Sequence, residues 1–133
     1  MKMEEYNYEA LARSIKIEDI TSDEDNQNIL RRLKENDPDF DSFRICSQSQ
    51  IVEEFDFCPT NGEELGWLGY FIGNNTTLHT LYISSAPPPS CNAKIEDFRR
   101  GLGRNRSIRS ICFWNGRLDG QIFHMLAGSI LQT

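Results

Sequence analysis

The sequence predicts an α/β fold built from helix–turn–strand units stacked into a short solenoid, and three observations predict it. Residues 65–83, LGWLGYFIGNNTTLHTLYI, superpose on residues 95–113, IEDFRRGLGRNRSIRSICF, at an offset of 30. Leu65, Leu68 and Ile72 fall on Ile95, Phe98 and Leu102, while Leu78, Leu81 and Ile83 fall on Ile108, Ile111 and Phe113. A looser copy, LRRLKENDPDFDSFRI at 30–45, carries Leu30, Leu33, Phe40, Phe43 and Ile45 at an offset of 38 from the first of these. All three share one order: a helix-spaced apolar stripe, a Gly/Asn turn, then apolar-x-x-apolar-x-apolar. The last two anchors of that final pattern alternate as a strand requires, and the first lies in the turn leading into it. A unit of this kind buries one face only, so side-by-side stacking is its physical solution.

Residues 1–28 are polar and acidic, with a few tyrosines, leucines and isoleucines scattered among them, and predict a frayed or partly ordered start or a partial cap. A helix opens near Thr21, Ser22 or Asp23, any of which suits an N-cap ahead of an acidic first turn. Ile29, Leu30 and Leu33 give it an apolar stripe, and Asn36-Asp37-Pro38 stops it. The eight extra residues before the next unit include EEFDFCP at 53–59, where Phe55 and Phe57 alternate with acids as an added strand or edge would. Gly73 and Gly103 suit helix C-caps, and Asn75 and Asn105 suit the turns that follow. Three consecutive prolines make SSAPPPSCN, 84–92, a loop. Phe71 against Gly101 breaks the match of the two clearest copies. Unit boundaries follow near 29–46, 63–84 and 94–114, with a partial fourth at 118–133 whose helix positions include Ile122 and Met125.

The stretches NTTLHTLYI, NRSIRSICF and, more loosely, DPDFDSFRI, with the helices before them, resemble leucine-rich repeats of the ribonuclease-inhibitor-like type. The resemblance covers roughly residues 29–131. LGWLGYFIGNNTTLHTLYI followed by PPPSCN and FRRGL is similar, more narrowly, to leucine-rich repeat proteins abundant in algae and other protists. It implies a parallel sheet on a concave side, helices on a convex side, and a protein-binding concave face. The family's usual Asn, three residues past the last strand anchor, falls here on Ala86 or Gly116, so its backbone-bonding ladder is missing or displaced. Three and a half units is also short for the family, which predicts a fragment of a longer array.

Bulk properties narrow the functional classes. Of the residues, 38% are apolar and 26% charged, as in globular chains. Net charge is −6: residues 1–65 hold seven Lys/Arg against seventeen Asp/Glu (−10), and residues 66–133 seven against three (+4). An acidic front half argues against bulk nucleic-acid binding, which rests on neutralising phosphates. No apolar stretch in the first residues suits a secretory signal, and no run approaches a membrane span. An intracellular, cytoplasmic chain without membrane or nucleic-acid partners is therefore expected. Cys46, Cys58, Cys91 and Cys112 form no CxxC pair and are expected to be free thiols. Asn74-Asn75-Thr76, Asn75-Thr76-Thr77 and Asn105-Arg106-Ser107 match the glycosylation pattern but are expected to be turns.

The resemblance places Ser42, Arg44, Cys46, Thr80, Tyr82, Ser84, Ser110, Cys112 and Trp114 on the concave face. Arg44, Tyr82 and Trp114 are its expected anchors, because aromatic and Arg side chains dominate interfaces, with Ser84 and Cys112 beside them. A non-enzymatic protein–protein interaction module without a cofactor is the expected function, its partner another protein or further repeats of the same chain. A capping segment of a longer repeat protein is the alternative, and a hydrolase-like pairing of His79 with Cys112 a remote one, lacking an orienting third group. GLGRNR, 101–106, follows a helix rather than a strand and reads as a turn, not a phosphate loop. The acids Glu53, Glu54, Asp56, Glu63 and Glu64 lack calcium-loop spacing, and no metal site is expected.

Overall fold

The computed structural model describes residues 8–46, 56–83 and 89–113. Among them, five helices pack on one four-stranded, wholly parallel sheet, so the fold is α/β. The helices are α1 (Tyr8–Leu11), α2 (Ile17–Ile20), α3 (Glu24–Lys34), α4 (Gly62–Asn74) and α5 (Ile95–Arg104). The strands are β1 (Ser42–Ile45), β2 (Asp56–Phe57), β3 (Thr80–Ile83) and β4 (Ser110–Phe113), in spatial order β2-β1-β3-β4. Pairing follows the sequence offsets: Phe43 opposes Leu81 at 38, and Leu81 opposes Ile111 at 30.

Each long helix forms for a local reason. Asp23 caps α3 by accepting a hydrogen bond from the Asn26 amide at 3.0 Å. Asn61 caps α4 through the Glu64 amide at 2.9 Å, and the buried Glu64 carboxylate reaches back to accept from the Thr60 amide and hydroxyl, both at 2.6 Å. Pro89–Lys94 is a 3₁₀ turn leading into α5, so part of the expected loop is helical. Helix α4 is apolar on nearly every side because it is central. Helices α3 and α5 flank it and the sheet lies beneath, with Leu65, Trp67, Leu68 and Ile72 fully buried. From the sheet, Phe43, Ile45, Leu81 and Ile83 close the same core, while Ile108 and Ile111 are only partly buried against it.

Residues 8–28 are more closely packed than their polarity suggests. Tyr8 packs edge-on against Trp67 and stacks on Tyr70, and its hydroxyl donates to Asp97 at 2.6 Å. Ile17 and Ile20 are buried in the core. A boundary at 28/29 therefore cuts α3, whose first turn starts at Glu24. The expected partial fourth unit at 118–133 lies outside the described residues.

Asparagines join neighbouring segments at the helix-to-strand turns. The Asn75 Oδ1 accepts from the Thr77 and Leu78 amides at 2.9 and 2.6 Å, while its Nδ2 donates to the Leu33 carbonyl, one segment back, at 3.0 Å. Asn105 does the same thirty residues on: Oδ1 accepts from Ser107 and Ile108 at 2.7 Å each, and Nδ2 donates to the Ile72 and Asn75 carbonyls at 2.7 and 3.0 Å. In the first segment Asp37 takes this place, and its Oδ1 accepts from the Asp39 amide at 2.9 Å. Two of the glycosylation-like triplets are thus turns whose asparagine amides are buried and engaged. The mechanism differs from the expected one, however. Asn75 and Asn105, with extended backbones, are themselves the C-caps, whereas Gly73 and Gly103, expected there, stay within their helices. Only Asn36, at φ 52°, has a left-handed backbone among the described non-glycine residues, and its Oδ1 accepts from the Thr76 amide at 2.8 Å.

Segment EEFDFCP explains the longer first offset. Its Asp56–Phe57 pairs parallel to β1 on the side away from β3, so the extra residues supply an edge strand. The Asn26 side chain clasps the end of this strand, donating to the Cys58 carbonyl at 3.1 Å and accepting from the Cys58 amide at 3.0 Å.

Candidate protein-binding face

Strand alternation sends one set of side chains into the core and the other to the opposite face of the sheet. On that opposite face the pairing aligns Asp56, Arg44, Tyr82 and Cys112 in one row across β2, β1, β3 and β4. A second row, Ser42, Thr80 and Ser110, runs beside it, with Ser110 Oγ donating to Thr80 Oγ1 at 3.5 Å. Ser42, Arg44, Thr80 and Tyr82 are half-buried, and Ser110 and Cys112 are exposed. Three residues expected at a binding face, Arg44, Tyr82 and Cys112, are therefore cross-strand neighbours. Ser84 and Trp114 lie outside the described residues.

Arg44 is not a free anchor. Its Nε and Nη2 donate to the two carboxylate oxygens of Asp56 at 2.9 and 2.5 Å, a two-pronged pair. Asp56 is only 4% exposed, so the Arg44 fork is what makes burial of that carboxylate tolerable. The sequence marks Asp56 as an acid of the expected added strand or edge, with no partner assigned to it. The signal it lacked was the register that sets residue 56 opposite residue 44.

Cys46, expected on the same face, is instead sealed at 2% exposure against Cys58 at 3%, their sulfurs 3.2 Å apart. Burial above all pushes both thiols up; the Cys46–Cys58 hydrogen bond adds to the rise at Cys46 and offsets part of it at Cys58. Cys91, fully buried at the 3₁₀ turn, is pushed up to about 11 for the same first reason. All four cysteines are free, and Cys112 alone is exposed. A thiol-specific chromogenic reagent at neutral pH should accordingly titrate one thiol in the native chain and four after denaturation, the native one lost in Cys112→Ser. Rapid native reaction of two or more thiols would show that the sheet end near Cys46 is open.

His79 and Cys112 do not form a dyad. Cys112 stands opposite Tyr82, and His79 precedes the Thr80–Ser110 pair, which separates the two by about 10 Å along the strands at ~3.3 Å per residue. Gly101–Arg104 of GLGRNR is the last turn of α5, and Arg104, Arg106 and Arg109 are exposed at its rim, Arg104 lying over the Tyr70 ring. Among the described residues no three His, Cys, Asp or Glu side chains converge as a metal site would need. No helix among them is long and apolar enough to cross a membrane.

Neither a family model nor a curated protein of significant similarity matches the chain.

Proposed function

We propose that this chain is a stretch of leucine-rich repeat solenoid whose sheet face binds another protein. The observation that carries the reading is the row Arg44, Tyr82 and Cys112, set on neighbouring parallel strands on the face away from the core. Adjacent strands lie ~4.8 Å apart, so three such side chains make a contact stripe that a rigid sheet preorganises. Tyr82 is the anchor, for it offers a large apolar ring and a polar tip at small entropic cost. Arg44 contributes less as a contact than as the group that holds Asp56, and Cys112 and Ser110 form the rim. Two further features support the repeat reading. The strand register reproduces the offsets of 38 and 30, and Asn75 and Asn105 bond across segments from equivalent places. The family's asparagine ladder is, on this reading, moved from beyond the strand to the turn before it.

The exposed Cys112 makes the test direct. A thiol-linked photo-crosslinker placed there should capture a defined partner, and Tyr82→Ala should cut capture at least tenfold, about 1.4 kcal/mol of lost binding, without changing the far-ultraviolet spectrum. The same label on the exposed outer surface of α5, at Arg100→Cys in a Cys112→Ser background, should capture far less. Equal capture from both surfaces, or capture indifferent to Tyr82→Ala, sinks the proposal in favour of a capping segment without its own ligand.

A further inference from the structure

The geometry points to Cys46 and Cys58 as a dithiol–disulfide pair that locks the edge strand β2 onto β1. Pairing runs Arg44 to Asp56 and Ile45 to Phe57, and one step further it sets Cys46 beside Cys58, with the Cys46 amide donating to the Phe57 carbonyl at 3.0 Å. Neighbouring strands are ~4.8 Å apart, inside the roughly 4.4–6.8 Å window between Cα atoms that a disulfide spans. The sulfurs already lie 3.2 Å apart, so closing the bond needs a side-chain rotation and no movement of the sheet. Strand β2 is only two residues long. The Arg44–Asp56 pair holds one end of it and Asn26 the other, and the thiols sit at the Asn26 end. Asp56, Phe57 and Cys58 are all buried, so an oxidant reaches the two thiols only through local opening of this edge strand. The bond would end that opening, and with it any exposure of the β1 edge as a template for another strand.

The oxidant is a small-molecule disulfide of the glutathione class. A thiolate from the pair attacks one sulfur of the oxidant, forming a mixed disulfide and expelling one small thiol. The second thiolate then attacks the protein sulfur of that mixed disulfide and expels the other small thiol. Two protein thiols are thereby oxidised, one small disulfide is reduced to two thiols, and the two protons leave on them. Because the attacking species are thiolates and burial disfavours them, exchange accelerates as pH rises and depends on β2 lifting. Cys112 faces Tyr82 across the sheet rather than a cysteine, so it stops at the mixed disulfide.

The test equilibrates the full chain in oxidised and reduced glutathione at a series of ratios, quenches with acid, and maps peptides without reduction. The expected result is a Cys46–Cys58 linked peptide two hydrogens lighter than its dithiol form. The closed ring is short, and the melting temperature should rise by roughly 10 °C, reversibly with dithiothreitol. Cys58→Ala should show neither effect. Should that variant not fold, Cys46→Ala and the dithiothreitol reversal in the unsubstituted chain provide the same comparison. Three results overturn the assignment: glutathione retained on Cys46 or Cys58 with no internal bond, both thiols still alkylated after denaturation at the most oxidising ratio, or an internal bond that leaves the melting temperature unchanged or lower.

Discussion

Gly101→Ala should destabilise the chain by about 3 kcal/mol, a large fraction of the ~5–15 kcal/mol typical of whole domains. A methyl group at residue 101 would land 1.9 Å from the Gly69 carbonyl oxygen, 2.4 Å from its carbon and 2.8 Å from its Cα. Every obstructing atom is backbone, so no rotamer change relieves the clash and α4 and α5 must separate. From the other side, a methyl at Gly69 would meet the Phe98 Cα at 2.6 Å. Gly103→Ala is the control, because it lies in the same helix and meets nothing within 4 Å. It should instead stabilise by about 0.5–1 kcal/mol, since alanine restricts the unfolded chain. Thermal or urea unfolding of both variants checks the contrast, and equal signs for the pair would refute the close crossing of α4 and α5. The crossing also accounts for the mismatch of Phe71 with Gly101: a place beside the central helix has room for a side chain on α4 but not on α5.

Asn75→Ala should cost about 4 kcal/mol, the larger of the two effects. The side chain is 2% exposed and answers two amides and one carbonyl at once, so its removal takes a partner from the Thr77 and Leu78 N–H and from the Leu33 C=O. Asn75→Asp separates its two roles. The carboxylate still accepts from both amides but cannot donate to Leu33, which should halve the loss to about 2 kcal/mol. The first segment already uses that arrangement, with Asp37 closing its turn through the Asp39 amide. Chemical denaturation of both variants should rank them wild type, Asp, then Ala. An Asp variant as unstable as Ala would mean the cross-segment donation dominates; one as stable as wild type would mean it contributes nothing.

Much of the sheet was legible because strand register is a local property copied along the chain. An offset of 30 in apolar anchors became thirty residues between paired strands, and 38 became thirty-eight. The α3 cap, narrowed to Thr21, Ser22 or Asp23, and the Asn turns were legible for the same reason, since capping and turn chemistry act within three or four residues. What stayed hidden depends on residues distant in sequence. Asn26 clasping Cys58, Tyr8 reaching Asp97 and Gly101 touching Gly69 leave no periodic trace. The isoleucines of residues 1–28 looked scattered because α1 and α2 are a single turn each, too short to show a stripe. The resemblance implies an asparagine beyond the strand, at Ala86 or Gly116. The asparagines that do bond across segments, Asn75 and Asn105, stand before the strand and are one of the two identities between the clearest copies. On the candidate face, Arg44, Tyr82 and Cys112 were placed together by the resemblance and by strand alternation, but neither could show that Asp56 already occupies Arg44.

All of this rests on three strands lying side by side in one register, and cross-strand nuclear Overhauser effects measure that directly. In a ¹⁵N/¹³C-labelled sample, Phe43, Leu81 and Ile111 should give contacts along one row, and Arg44, Tyr82 and Cys112 along the next. The Asn75 and Asn105 side-chain amides should exchange slowly with solvent. Contacts shifted by one or more residues, an antiparallel pattern, or fast-exchanging asparagine amides would contradict the fold, and with it the binding face.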